Sequence, residues 1–176
     1  MEKLILPLTE EKIANKKAGE QYLVYGTLYT ARDEAHKRFI EAIDNDKGLP
    51  FDLKDQVIYY AGPTPPSPDK IIGAVGPTTS CRMDKYTPRL LERGLKGMIG
   101  KGYRSQLAIK SMQDHKAIYF ATIGGAGAFI SKFIKKAELF AYEDLGPEAI
   151  YKLEIEGLPV VVINDIYGGD FYHRQG

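Results

Sequence analysis

Cys81 is the only cysteine in 176 residues. That excludes an internal disulfide framework and a metal site built from several thiolates of this chain. It suits a reducing compartment. Long apolar runs are missing too. The N-terminal "MEKLILPLTEEK" holds an apolar run of about four residues, short of the roughly 7–15 of a signal-peptide core. No stretch approaches the roughly 18 apolar residues of a membrane span. The expectation is a soluble, cytoplasmic protein with no membrane partner. Net charge is +1, from 24 Lys+Arg and 23 Asp+Glu. No basic run with interleaved aromatics occurs, so nothing points to nucleic acid. Also absent are a Ser-His-Asp signature, a metal-ligand cluster, a P-loop lysine and a G-x-G-x-x-G turn. Any anion specificity must come from local placement of a few groups.

What is present is an ordinary globular composition: 44% hydrophobic and 27% charged. Disorder is excluded over most of the length, and residues 1–176 fit one domain with a real core. With 18 Gly and 10 Pro, the chain reads as turn-dense mixed structure and not a helical bundle. Ile5 and Leu6 open a short strand, and Thr9 caps a helix that ends near Gly19. "QYLVYGTLYT" is a strand. "TARDEAHKRFIEAI" is a helix, with Thr30 and Asp33 at capping-box-like spacing and Ala35, Phe39 and Ile43 on one face. "QVIYYAG" is a strand, "GPTPPSPDK" an exposed loop, and "KIIGAVG" a further strand. Residues 80–93 are helical with a break at Pro88, where Thr87 caps a second short helix that ends at Gly94. "LKGMIG" is a strand, residues 103–114 a helix, and "AIYFAT" a strand entering the Gly-rich turn and helix of "IGGAGAFISKFI". "KKAELFAY" is a strand, "GPEAIYKL" a helix and "GLPVVVINDI" a buried strand. From about residue 55 strands and helices alternate, which predicts an α/β layer fold with parallel pairings and an extra β element from the N-terminal third.

Four turns after strands carry the chemistry. In "VGPTTSCRMD", Thr78 and Thr79 sit where a helix would start, with Arg82 in its first turn. Free backbone N–H groups, two hydroxyls and a guanidinium together suit a carboxylate. The bland alternative is a Thr79 cap beside a solvated arginine. In "TARDEAHKR", Arg32 falls in a first helical turn, where the dipole disfavours it. His36 is one turn on, in reach of Asp33 or the surroundings of Arg32. The alternative is a solvated charged face, which Lys37 and Arg38 fit, with His36 in a structural role. In "MIGKG", Lys101 stands between Gly100 and Gly102, which permit close approach of backbone to a ligand. "TIGGAGAF" reads as close helix–sheet packing or as a ligand-facing turn. Arg32, Arg82 and Lys101 all follow strands, and in open α/β sheets ligands bind beyond the strands' carboxyl ends. Their convergence points to a polycarboxylate or phosphate, held by what looks like half of an active site.

"YGTLYTARDEAHKR", "VIYYAGPTPP", "GPTTSCRMDKYTPRLLERGLKGMIGKG", "ATIGGAGA" and "LGPEAIYKLEIEGLPVVVINDIYGGDFY" resemble, in order and over nearly the whole chain, the C-terminal domain of the class I (iron–sulfur) fumarase and tartrate dehydratase family. Many prokaryotes encode that domain as a separate β subunit. The resemblance implies a swivelling β/β/α-type layered domain with a mixed, largely parallel sheet. It implies a hydro-lyase that hydrates fumarate to malate, or acts on tartrate or another hydroxy diacid. The family's [4Fe–4S] cluster is carried by three cysteines of the other domain or α subunit, so no metal is expected on this chain. Arg32, Arg82 and Lys101 match the substrate-carboxylate clamp and Thr78 the catalytic threonine. Asp33, His36 and Thr79 are then supporting neighbours. The partners implied are a small dicarboxylate and an α subunit, in a hetero-oligomer, with a homodimer when the chain is alone. A stand-alone anion-binding module is the reading from another class.

Overall fold

The computed structural model describes residues 1–123 and 127–173. Seven strands are present: β1 (Glu2–Ile5), β2 (Gln21–Thr30), β3 (Val57–Tyr59), β4 (Gly97–Gly100), β5 (Ile118–Thr122), β6 (Ile134–Ala141) and β7 (Ile150–Asn164). The helices are α1 (Glu10–Ile13), α2 (Asp33–Asp44), α3 (Thr87–Glu92), α4 (Gln106–His115) and α5 (Gly127–Ile130). Strands β1 to β5 pair in chain order and all in parallel. The long β7 then runs antiparallel to β5, to β6 and to β2. Because β7 reaches back to β2, the series β2–β3–β4–β5–β7 closes into a ring. The fold is therefore α/β with a mixed, largely parallel sheet.

Closure explains the residue pattern along the strands. Val57 and Tyr59 of β3, Ile99 of β4, and Ile118 and Phe120 of β5 pack with Val160 and Val162 of β7 in one apolar cluster. Their alternates Ile58, Met98, Tyr119 and Ala121 belong to a second cluster with Phe39 and Ile43 of α2, Leu90 and Leu91 of α3, and Ala108 and Met112 of α4. With period-2 side chains and both faces covered, such strands read as near-continuous apolar runs.

Several expectations are corrected. "KIIGAVG" is irregular and not a strand. Both edges of its neighbour β3 are already taken, by β2 and β4. Ile72 and Val75 still reach the core. "GPEAIYKL" is not a helix: tight 3-10 turns cover Glu143–Glu148 and β7 begins at Ile150. Leu153 and Ile155 are buried while Glu156 is exposed, a period of two that the Gly-Pro-Glu start masks. The helix after the Gly-rich turn is one turn long and passes into a 3-10 turn, Ser131–Phe133. Gly124, Gly125 and Ala126 of that turn lie outside the described residues. Neither Thr9 nor Tyr86, the N-caps of α1 and α3, makes a side-chain cap hydrogen bond. Thr87 lies inside α3 and its hydroxyl donates to the Met83 carbonyl at 3.0 Å. α2 starts at Asp33 without a capping box, since Thr30 Oγ1 instead accepts from the Tyr151 N–H of β7 at 3.0 Å. The expected 103–114 helix starts later, at Gln106, capped by Ser105 Oγ accepting from Ala108 N–H.

α2 also buries His36, which is 0% exposed. Its Nδ1 lies 2.7 Å from the Arg32 carbonyl, so Nδ1 carries the hydrogen and Nε2 has no partner among the described residues. Burial pushes the imidazole down to about 4, and the Arg104 charge adds to this against the opposing carbonyl bond and Asp33. The unfolded chain therefore binds a proton, at the ordinary 6.5, over a range where the folded one does not. Stability must then fall as pH drops from about 6.5 towards 4, by about 2 kcal/mol between pH 7 and pH 5. Urea midpoints at the two pH values should show this loss, and His36→Gln should remove most of it. Equal pH dependence in the two proteins would show that His36 is not held neutral.

Candidate functional site

The carboxyl ends of β2, β3 and β4 lie side by side, and the loops leaving them supply the candidates. β2 ends at Thr30, and Ala31 N–H donates to the Tyr59 carbonyl at the end of β3. This seats Arg32 beside β3. Thr78 N–H donates to the Tyr60 carbonyl at 2.6 Å. Thr79 then forms a parallel bridge with Lys101, and Ser80 N–H donates to the Lys101 carbonyl at 3.0 Å. The threonine pair is thus a short extra rung between the ends of β3 and β4. Arg82 follows in the 3-10 turn Ser80–Met83. Its Nε and Nη2 donate to the two Asp33 carboxylate oxygens at 3.1 and 3.0 Å, which ties the loop after β4's neighbour to the start of α2. Arg32, Asp33, Thr78, Thr79, Arg82 and Lys101 therefore share one rim. His36 does not reach it: the ring is beneath, connected through the Arg32 carbonyl.

The three cations differ in their partners. Burial works against the Asp33 charge, but the Arg82 hydrogen bonds and charge outweigh it and hold the carboxyl below its usual range. Arg82 is thus half satisfied, with no bond from its Nη1 among the described residues. The Arg32 side chain makes no hydrogen bond or ion pair with any described residue, although its Nε is buried and its charge helps hold the Asp33 carboxyl down. What fixes its side chain is packing: a Cβ on Gly62 would lie 2.9 Å from Arg32 Cδ and 3.1 Å from Nη1. Lys101 is exposed and likewise has no polar side-chain partner among the described residues. A buried donor without an acceptor costs about 1–3 kcal/mol, a cost that an acceptor reaching Arg32 Nε would offset.

Three details differ from the sequence reading. Thr79 precedes the turn without a side-chain cap. The helix expected there is one 3-10 turn, too short for a dipole to help hold an anion. Gly100 provides close approach, but to Ser80 and not to a ligand: a Cβ there would lie 1.9 Å from Ser80 Oγ. Gly127, at the start of α5, lies near this loop: Val75 N–H donates to its carbonyl at 3.3 Å.

Sequence reasoning missed Arg104 and Asp84, buried directly under the rim. Arg104 Nε donates to Asp84 Oδ1 at 2.6 Å and Ser105 N–H to Asp84 Oδ2 at 2.7 Å. The available signal was an arginine wedged between "KGY" and the Ser105 cap, in a strand-to-helix turn where a solvated side chain has little reason to be. For metals, among the described residues no group of three or more His, Cys, Asp or Glu converges. Cys81 is exposed beside Arg82. These donors do not fit an iron–sulfur cluster.

If the rim is a site and not a structural device, its cations are dispensable for folding. Arg82→Ala breaks an ion pair that is partly exposed on both sides and should cost under about 1 kcal/mol. Arg32→Ala removes an unpaired cation and should be neutral or stabilising. Urea unfolding of the two variants checks this, and a loss above about 2 kcal/mol in either would make that arginine a structural residue.

A model described as the C-terminus of fumarase matches residues 2–175. The chain is 40% identical over 151 residues to the aerobic class I fumarate hydratase of Escherichia coli (strain K12), covering 85% of this chain and 28% of that protein. It is 34% identical over 166 residues to fumarate hydratase 2 of Leishmania major, covering 93% of this chain and 29% of that one. A putative L(+)-tartrate dehydratase subunit beta of Methanocaldococcus jannaschii is 32% identical over 180 residues, with 99% of this chain and 92% of the relative covered. The chain thus spans under a third of the fumarate hydratases and nearly all of the tartrate dehydratase subunit.

Proposed function

The chain belongs to the fumarase C-terminus family, and on that premise we propose that it is the β subunit of a hydro-lyase that interconverts fumarate and malate. The observation that carries this reading is the Arg32 guanidinium, partnerless among the described residues with a buried Nε, on the same rim as Arg82 and Lys101. In this reading Arg32, Arg82 and Lys101 grip one substrate carboxylate. They also stabilise the second negative charge that grows on it as the C3 proton leaves. The grip fixes the reacting carbon against the rim, which converts binding into orientation. Thr78 Oγ1 carries the C3 proton. A threonine hydroxyl is a weak base, and since no long helix begins at Thr79 the neighbouring cations are what favours its deprotonated form. Asp33 keeps Arg82 facing the substrate, and Thr79 holds the rung with Lys101 through its backbone.

The cluster that the family resemblance implies is assigned to a partner α chain, because the donor set here does not fit it. The near-complete coverage of a tartrate dehydratase subunit supports a second substrate, tartrate, for the same machinery.

The isolated chain should therefore turn over neither malate nor tartrate, and activity should appear on mixing with a chain that carries three cluster-spaced cysteines. In the active pair, Arg32→Ala and Arg82→Ala should each weaken kcat/KM by roughly 2–5 kcal/mol. Thr78→Ala should lower kcat by about 10²–10⁴-fold, with Thr78→Ser keeping part of the rate. Steady-state kinetics decide: a higher KM at unchanged kcat would make Thr78 a binding group. Turnover by rigorously partner-free chain would end the reading, and dicarboxylate binding with no catalytic partner would favour an anion-binding module.

A further inference from the structure

We propose that Arg104 and Tyr119 are positioning residues that fix the Lys101–Gly102 loop and the Thr78–Arg82 turn relative to each other. The inference rests on the reading of Lys101 and Arg82 as substrate-binding groups. Arg104 is 2% exposed, and its fork is used almost completely. Nε donates to Asp84 Oδ1 at 2.6 Å, Nη2 to Thr87 Oγ1 at 2.9 Å and the Tyr60 hydroxyl at 3.3 Å, and Nη1 points at Met98 Sδ at 3.5 Å. The guanidinium also lies over the Tyr119 and Tyr60 rings, 4.8 and 5.4 Å from their centroids.

These contacts tie together the segments that carry the rim. Asp84 closes the 3-10 turn that holds Arg82. Arg104 itself is three residues beyond Lys101, and Asp84 Oδ2 also accepts the Ser105 N–H at 2.7 Å. The Asp84 carboxylate thus joins the far end of the Arg82 turn to the far end of the Lys101 loop. Tyr119 joins their near ends. Its hydroxyl donates to the Gly102 carbonyl at 2.8 Å. Having spent its one proton there, it accepts from Ser80 Oγ, also at 2.8 Å. Ser80 in turn holds the Lys101 carbonyl through its N–H. The carbonyls of Lys101 and Gly102 are therefore held by Ser80 and Tyr119, both fully buried.

Stability alone gives little reason for this arrangement. A buried ion pair is often no better than a well-packed apolar set of the same volume. What an arginine fork adds is geometry: donors at fixed angles, which a lysine ammonium cannot reproduce. An error of about 1 Å in a clamp residue can cost on the order of 10²-fold in rate.

The test is a double-mutant cycle in the reconstituted enzyme, with kcat/KM measured well below the melting temperature of each variant. Arg104→Lys keeps the charge and loses the fork, and should lower kcat/KM by about 10–100-fold. In a Lys101→Ala background the same change should cost several-fold less, because one of the two groups it holds in register is gone. Tyr119→Phe, which keeps the ring and removes the bond to Gly102, should behave alike but more mildly, and serves if Arg104→Lys does not fold. Equal losses in both backgrounds, or full activity of Arg104→Lys and Tyr119→Phe, would overturn the proposal. Should the wild-type pair itself lack dehydratase activity, it is the functional reading that fails. The positioning claim is then decided on the full chain alone, by whether Tyr119→Phe shifts the backbone amide resonances of Lys101 and Thr78–Arg82 in ¹H–¹⁵N spectra. Unmoved resonances would overturn it.

Discussion

Ring closure by β7 is the constraint on which the rest depends. Once β7 pairs with both β5 and β2, one face of β3, β4 and β5 looks into the ring and the other lies under α2, α3 and α4. Every residue of β3 and β4, and four of the five in β5, is buried. A charge placed along such a strand would lose its hydration with no partner in reach. Polar chemistry is pushed to the strand ends, where loops cross and backbone groups are still free. Parallel pairing of β2, β3 and β4 puts three carboxyl ends on one edge, so residues 32, 78 and 101 become neighbours although far apart in the chain.

At that edge the arginines form a series. Arg104 is buried and uses nearly all of its fork. Its charge is opposed by burial but upheld by Tyr60 and Asp84. Arg82 is partly exposed and paired along one edge to Asp33. Arg32 has no partner among the described residues and a buried Nε. Only the last two have donor capacity to spare, and they stand at the solvent side of the series. Spare capacity at a partly desolvated cation is a cost to the fold that a bound anion offsets. With a formal net charge of +1 there is no broad positive field, so any selectivity for an anion at this edge rests on these few groups.

Legibility followed the physics of each segment. β2 was readable from its β-branched and aromatic residues, β4 and β5 from short apolar runs between turns, and the long α2 from its helical period. Most of the rim was readable because cations directly after apolar strands are conspicuous. The start of β7 was not, since Pro147 and Glu148 mimic a helix start while Tyr151, Leu153 and Ile155 alternate with Lys152, Glu154 and Glu156. "KIIGAVG" was misread because apolar composition reports burial, and whether a segment pairs depends on whether an edge is open. Arg104 and Asp84 were hidden for a different reason. They are 20 residues apart in sequence, and nothing local to either marks a buried pair.

Lys101 shows how much of a site can be internal fit. Its two flanking glycines have different causes, neither of them a ligand. Gly102 has φ +81°, a conformation that L side chains rarely adopt. Gly100 has no room for a Cβ: besides Ser80 Oγ, it would meet Tyr60 Cδ2 at 2.9 Å. An alanine there would push the Ser80 turn off the end of β4. With it would go the Thr79–Lys101 bridge, the Ser80–Tyr119 contact and the seat of Thr78 on Tyr60. The small residue beside the lysine thus lets the threonine turn lie flat on the strand end, and the clamp geometry follows from backbone packed on backbone before any substrate arrives.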